Sequence, residues 1–246
     1  MENQNQDYTY QNVVQIEDAD QSRKFIASVF LWMFVALGLS AAFAYVFSVT
    51  PSLLALIFDI TPTGIHFTGL GLLAMFAPLV FVLIMRFGMN RISYGVLTIL
   101  FIAYAAITGI SLTIILLYFT ASSVLGVFLT TSVVFGIMAI AGYTTNTDLT
   151  KFGSILIMLL IGIIVATLLN ALLLHDSGLA MLINYIGVAV FVGLTAYHVQ
   201  KLKRIGAGIE YGDASTKKLA LMGGLTLYLD FINLFIRLML IFGRRR

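Results

Sequence analysis

The chain has 246 residues, of which 60% are hydrophobic and 10% charged, with a formal net charge of +3 and a mean hydropathy of +1.02. Soluble domains hold about 45–50% apolar and about 25% charged residues, so this balance excludes a cytosolic globular fold and predicts an integral membrane protein. The sequence contains no cysteine, which excludes disulfides, thiolate metal centres and thiol nucleophiles. Its slight basic excess belongs to the flanks of apolar segments and does not point to nucleic acid.

Residues 1–22 are polar, rich in Asn, Gln and acids (Glu2, Asp7, Glu17, Asp18, Asp20) and free of basic residues. They read as a disordered or loosely held tail ahead of a membrane domain over residues 23–246. The tail lacks the basic region and small-residue cleavage site of a secretory signal, so the first span is expected to act as an uncleaved insertion signal.

Seven apolar stretches follow, about 25–47, 67–86, 93–118, 122–143, 152–174, 180–200 and 219–242. About 20 apolar residues cross the hydrocarbon, and a spanning segment that satisfies its own backbone is a helix. The fold class is therefore an all-α membrane protein with seven transmembrane helices. Pro78 is expected to kink the second. Small residues recur at four-residue spacing in Gly38/Ala42, Ala105/Gly109 and Gly162/Ala166, a pattern that lets helices approach closely.

Basic residues set the topology. Arg23, Lys24, Arg86, Arg91, Lys151, Lys201, Lys203, Arg204, Lys217 and Lys218 fall before the first span and after the second, fourth and sixth. The positive-inside rule then puts the N-terminus in the cytoplasm. Arg244, Arg245 and Arg246 resist: seven crossings leave them outside. Either the last helix crosses with its basic tail tolerated there, which is the favoured reading, or it re-enters and returns.

Within that last stretch, Gly223, Thr226, Asp230, Asn233 and Arg237 follow at steps of three or four and share one helix face. A carboxylate facing lipid at mid-membrane costs at least about 2.5 kcal/mol, so this face must look into protein or water. It is either a polar seam that joins helices or a path or sensor for ions or protons. Arg237 either neutralises Asp230 or reaches the head groups.

On the sixth span, Asn184, Thr195 and His198 fall on roughly one face. His198 either rests at the interface or meets Asp230; the meeting requires the sixth helix to continue into Lys201–Arg204. His66, His175, Asp59 and Asp176 fall in outer connections, as interfacial or solvated residues. His175–Asp176 supplies two ligands, too few for a metal site. No GxSxG, HExxH or phosphate-cradling GxxxxGK[ST] motif is present, and Asp230 has no second membrane carboxylate, so no enzyme is expected.

The stretch VVFGIMAIAGYTTNTDLTKFGSILIMLLIGIIVATLLN (133–170) resembles the central signature of the Bax inhibitor-1 family. LYLDFINLFIRLM (227–239) is similar to that family's last helix, and TAYHVQKLK (195–203) to its sixth. The resemblance implies a seven-helix fold with the last helix enclosed by the other six, in a bacterial inner-membrane branch. It implies a pH-sensitive calcium leak gated by two aspartates, one in the sixth helix and one in the seventh, with calcium as the permeant ion and no resident cofactor.

Asp230 matches the second aspartate, a candidate calcium contact. The first falls in a pattern like YDxQ, where this chain has Tyr197-His198-Val199-Gln200. Imidazole in place of a carboxylate keeps a titratable group and removes a hard oxygen ligand. A His198–Asp230 pair is thus expected to sense protons and to bind calcium weakly. The alternative is a membrane-embedded regulator that grips a membrane protease or translocation partner through the tail at 1–22.

Overall fold

A computed structural model describes residues 3–61 and 64–246, with side chains from residue 20 onward. In chain order the elements are α1 (Asn3–Val49), α2 (Pro51–Ile57), the strands β1 (Phe58–Thr61) and β2 (Gly64–Phe67), and α3 (Gly69–Gly88). Then come α4 (Tyr94–Tyr118), α5 (Ala121–Thr144), α6 (Thr150–Leu169) with a π-helical turn at Asn170–Leu174, α7 (Ser177–Ala207) and α8 (Ala214–Phe242). Seven of these helices are long and apolar enough to cross a membrane: α1 from Asp20, α3, α4, α5, α6 with its π turn, α7 and α8.

The boundaries differ from expectation in informative ways. The backbone of α1 is helical from Asn3, because polar residues joined to a formed helix only propagate it and bear no nucleation cost. The expected tail at 1–22 otherwise falls mostly outside the described side chains. Phe67 pairs with Phe58 in an antiparallel hairpin instead of opening the second span. Thr68 starts α3 by accepting from Gly71 N while donating to Leu56 O, a cap of the usual kind. Pro78 lies within the unbroken α3. At the other end of the bundle α7 runs to Ala207 and α8 begins at Ala214 on an Asp213 cap, so both outrun their apolar stretches.

Of the seven spans, α8 is the most buried. Its main packing partners are α1, α7, α5 and α4, a narrower enclosure than all six, with α3 set against α4 and α6 against α7. Glycines allow close approaches around it: a Cβ at Gly109 of α4 would meet the Ser40 main chain of α1, one at Gly142 of α5 that of Ala196 of α7, and one at Gly224 of α8 the α1 main chain at Val29 and Met33. Of the spaced small residues, Ala105/Gly109 makes such a contact, while Gly38 and Gly162 face open space.

The last helix crosses the whole bundle. Near its start Lys218 Nζ donates to Met89 O, just before α4. Past its end, the 243–246 segment pairs with the turn after α4. Thr120 N donates to Arg244 O, Arg246 N to Tyr118 O, and Arg244 N to Ser123 Oγ. α8 therefore extends as far as α4 does, and re-entry is ruled out.

The extended end of α7 grips the α5–α6 turn. Gln200 Oε1 accepts from Leu149 N at 2.9 Å and its Nε2 donates to Thr147 O at 2.7 Å. Lys203 Nζ donates to Tyr143 O, and Arg204 to Asp148. The Asp148 carboxyl is lowered from 3.8 to about 2, first by hydrogen bonds from Thr150 and then by Arg204. Its folded-state pKa lies below its unfolded one. Its stabilisation is therefore fully present above its ordinary pKa and is lost as pH falls through the lowered one.

Gly142→Val is expected to lower the melting temperature in detergent, by overpacking worth about 1–3 kcal/mol or more, whereas Gly136→Ala, which faces open space, leaves it unchanged or slightly raised. Gln200→Ala should speed amide exchange in residues 145–149 several-fold, by loss of two hydrogen bonds worth about 0.5–1.5 kcal/mol each. Protection of that turn in the parent protein should stay constant from pH 8 to pH 5.

Candidate functional site

The continuation of α7 to Ala207 carries His198 about 13 Å in from its helix end, and Asp230 lies about 24 Å into α8, at 1.5 Å per residue. The two helices run antiparallel in contact, and His198 Nδ1 lies 2.6 Å from Asp230 Oδ2. Asp230 is buried, its side chain 5% exposed, while that of His198 is 18% exposed. The pair is thus open on the imidazole side only. A short N···O contact of this kind is the geometry of a charge-assisted hydrogen bond. An ionised carboxylate only accepts, so Nδ1 carries the proton when Asp230 is charged; Nε2 is then the position that gains or loses the second proton. Tyr197 stands against the His198 ring at 5.2 Å between centroids.

The rest of the polar face does not act as one unit. Gly223 is closed over by Leu202 and Val29. Thr226 Oγ1 donates to Met222 O and Asn233 Nδ2 to Leu229 O, both within α8. They satisfy themselves and join no second helix. Arg237 Nη1 donates to the buried Asn184 Oδ1 at 2.9 Å, beside Gly187. On α7, Thr195 bonds back to Phe191 O. Among the described residues two inter-helix polar contacts therefore join α7 to α8, His198–Asp230 and Asn184–Arg237.

The opposite face of α8 holds a polar node that the residue pattern did not flag. Ser40 Oγ of α1 donates to Ala105 O of α4 at 2.7 Å and lies 2.7 Å from Tyr228 Oη. Ser40 has one hydrogen, already given to the carbonyl, so the tyrosine donates. Tyr104 meets the Tyr228 ring edge-on at 5.7 Å. A serine among small residues of a first span gives little signal; the tyrosine two positions before Asp230 was the available one.

Among the outer residues, Asp176 is exposed and caps α7 through Leu179 N, with its main chain held by Asn170. Asp59 and His66 are opposite one another in the β1–β2 register. Among the described residues no group of three or more His, Asp or Glu could hold a metal ion, and Asp230 meets an imidazole in place of a second carboxylate. That donor set is poor for calcium, which takes six to eight oxygens.

A model of the family described as "Inhibitor of apoptosis-promoting Bax1" matches residues 22–246. The chain is 42% identical to inner membrane protein YbhL of Escherichia coli over 223 residues, covering 90% of this chain and 92% of that protein. It is 40% identical to a protein of Borreliella burgdorferi (91% and 93% covered) and 39% identical to protein RP147 of Rickettsia prowazekii (91% of each). With seven spanning-length helices and matches over nearly its whole length, this chain belongs to the Bax inhibitor-1 family.

Proposed function

We propose that this protein is a proton-regulated cation leak channel or transporter of the bacterial inner membrane, with calcium as its permeant ion and its N-terminus in the cytoplasm. The observation that carries the reading is the buried 2.6 Å contact between His198 and Asp230. It joins the most buried helix to its antiparallel neighbour, where a small change of charge bears on how the two pack. The orientation rests on ten basic residues at the end of the bundle that holds the α3–α4, α5–α6 and α7–α8 turns. Placement in the inner membrane rests on the name of the Escherichia coli relative.

Imidazole changes charge near pH 6.5 when unperturbed. With His198 protonated and Asp230 ionised, full charges attract across the helix pair and latch it. Loss of the Nε2 proton leaves a neutral donor on the carboxylate, and the latch weakens. Calcium passing this point would meet one carboxylate and no second, so weak binding and release go together. Asp148 and Asp213 are both held at about 2 by neighbouring hydrogen bonds, so a change between pH 6 and 8 does not run through them.

Calcium flux into proteoliposomes of the full chain is expected to rise from pH 6 to pH 8. His198→Ala should bring the ratio of the two rates close to one, and Asp230→Asn should alter flux at every pH. Flux in His198→Ala that keeps the parent's pH dependence would remove the sensor role. No flux at any pH from folded protein would favour the regulator reading, which deletion of residues 1–22 then tests through partner binding.

A further inference from the structure

Helices α1 and α5 each pack on α8 but hardly on one another, and the gap between them is floored by Phe231 and Phe235 of α8. Its outer part is a cavity of about 320 Å³ lined by Leu37, Ala41, Tyr45, Leu125 and Phe128 among others. A second cavity of about 460 Å³ continues along the same gap past Phe34 and Phe135. Phe34, Tyr45 and Leu125 on its rims are exposed, so the gap opens sideways, towards the surface that hydrocarbon covers. From Leu37 to Tyr45 the outer cavity follows α1 for about 12 Å, close to the about 15 Å depth of one leaflet.

The outer mouth carries charge of one sign. Ala121 lines the cavity, and the turn just before it, Tyr118–Thr120, is paired by main-chain hydrogen bonds with Arg244–Arg246. All three arginines are exposed, and none forms an ion pair among the described residues. Their main chains are tied down while their guanidinium groups form no ion pair among the described residues, just past the end of the last spanning-length helix. We infer that the α1–α5 gap holds one acyl chain of an anionic phospholipid whose phosphate is taken by the arginines at 244–246. Positive groups fixed at the interface draw anionic lipid, and guanidinium pairs phosphate in a fork. The acyl chain would lie against Phe231, next to Asp230, and Phe128, which line both cavities. This site does not depend on ion conduction.

The test uses full-length protein reconstituted with brominated lipids, with Trp32, the one tryptophan, changed to Phe. Leu125→Trp reports from the gap, and Ile161→Trp reports from the exposed surface of α6. Quenching by brominated phosphatidylglycerol is expected to exceed that by brominated phosphatidylcholine in relative binding constant by about five-fold at Leu125→Trp, the effect of one basic residue at a membrane surface. At Ile161→Trp the ratio should be near one. Changing Arg244, Arg245 and Arg246 to Gln keeps the main-chain pairing and should bring the Leu125→Trp ratio to near one. Equal ratios at the two reporters, or a preference that survives the triple substitution, overturns the inference. So does displacement by brominated oleic acid, which assigns the gap to a free fatty acid. Absence of quenching at Leu125→Trp in either lipid, from a gap covered by protein, also overturns it.

Discussion

A carboxylate placed in the middle of an apolar bundle must be met by another group, and the arrangement of α7 and α8 follows from that requirement. Asp230 cannot face hydrocarbon without a cost of several kcal/mol, and an unanswered buried charge is among the most destabilising features a fold can hold. The answer comes from His198, 2.6 Å away, and it fixes the register of the two helices. With that contact set, Arg237 falls within reach of Asn184, and the end of α7 projects far enough to hold the α5–α6 turn. The two faces of α8 divide the work. One carries the ionisable pair, and the other carries the neutral Tyr228–Ser40 node that ties α1 and α4 to the same axis.

Much of this was legible in the residues. Seven apolar stretches with basic flanks specify seven helices, because hydrocarbon permits a spanning segment no other way to satisfy its backbone. Asp230 stood out for the same reason, and its partner was within reach once α7 was allowed to continue past its apolar part. Hydropathy could not give that continuation. Lys201, Lys203 and Arg204 read as the membrane boundary, yet they are helical residues whose polar ends reach the neighbouring turn and surface.

The shared face of α8 is only partly a seam: Asp230 and Arg237 reach α7, while its other polar side chains do not. Helical spacing says which residues point the same way, but not which of them bond outward. Thr226 and Asn233 turn back to carbonyls of their own helix, an option open to any hydroxyl or amide four residues along. The re-entry question had a similar origin, since a basic tail counts against a crossing in charge statistics. Main-chain pairing between the tail and the α4–α5 turn decided it, and backbone pairing over that sequence distance leaves no trace in composition.

That same pairing bears on how the molecule is assembled. Among the described helices α8 is synthesised last, yet it is the helix around which α1, α4, α5 and α7 are arranged. Until it is made, His198 lacks Asp230 and Ser40 holds only the Ala105 carbonyl of α4, without the Tyr228 hydroxyl. Closure over contacts as far apart as Ser40 and Tyr228 therefore follows the other described helices, and such distant contacts form slowly. The pairing of residues 244–246 with the α4–α5 turn requires α8 in place, so those main-chain hydrogen bonds close only after the last described helix has docked.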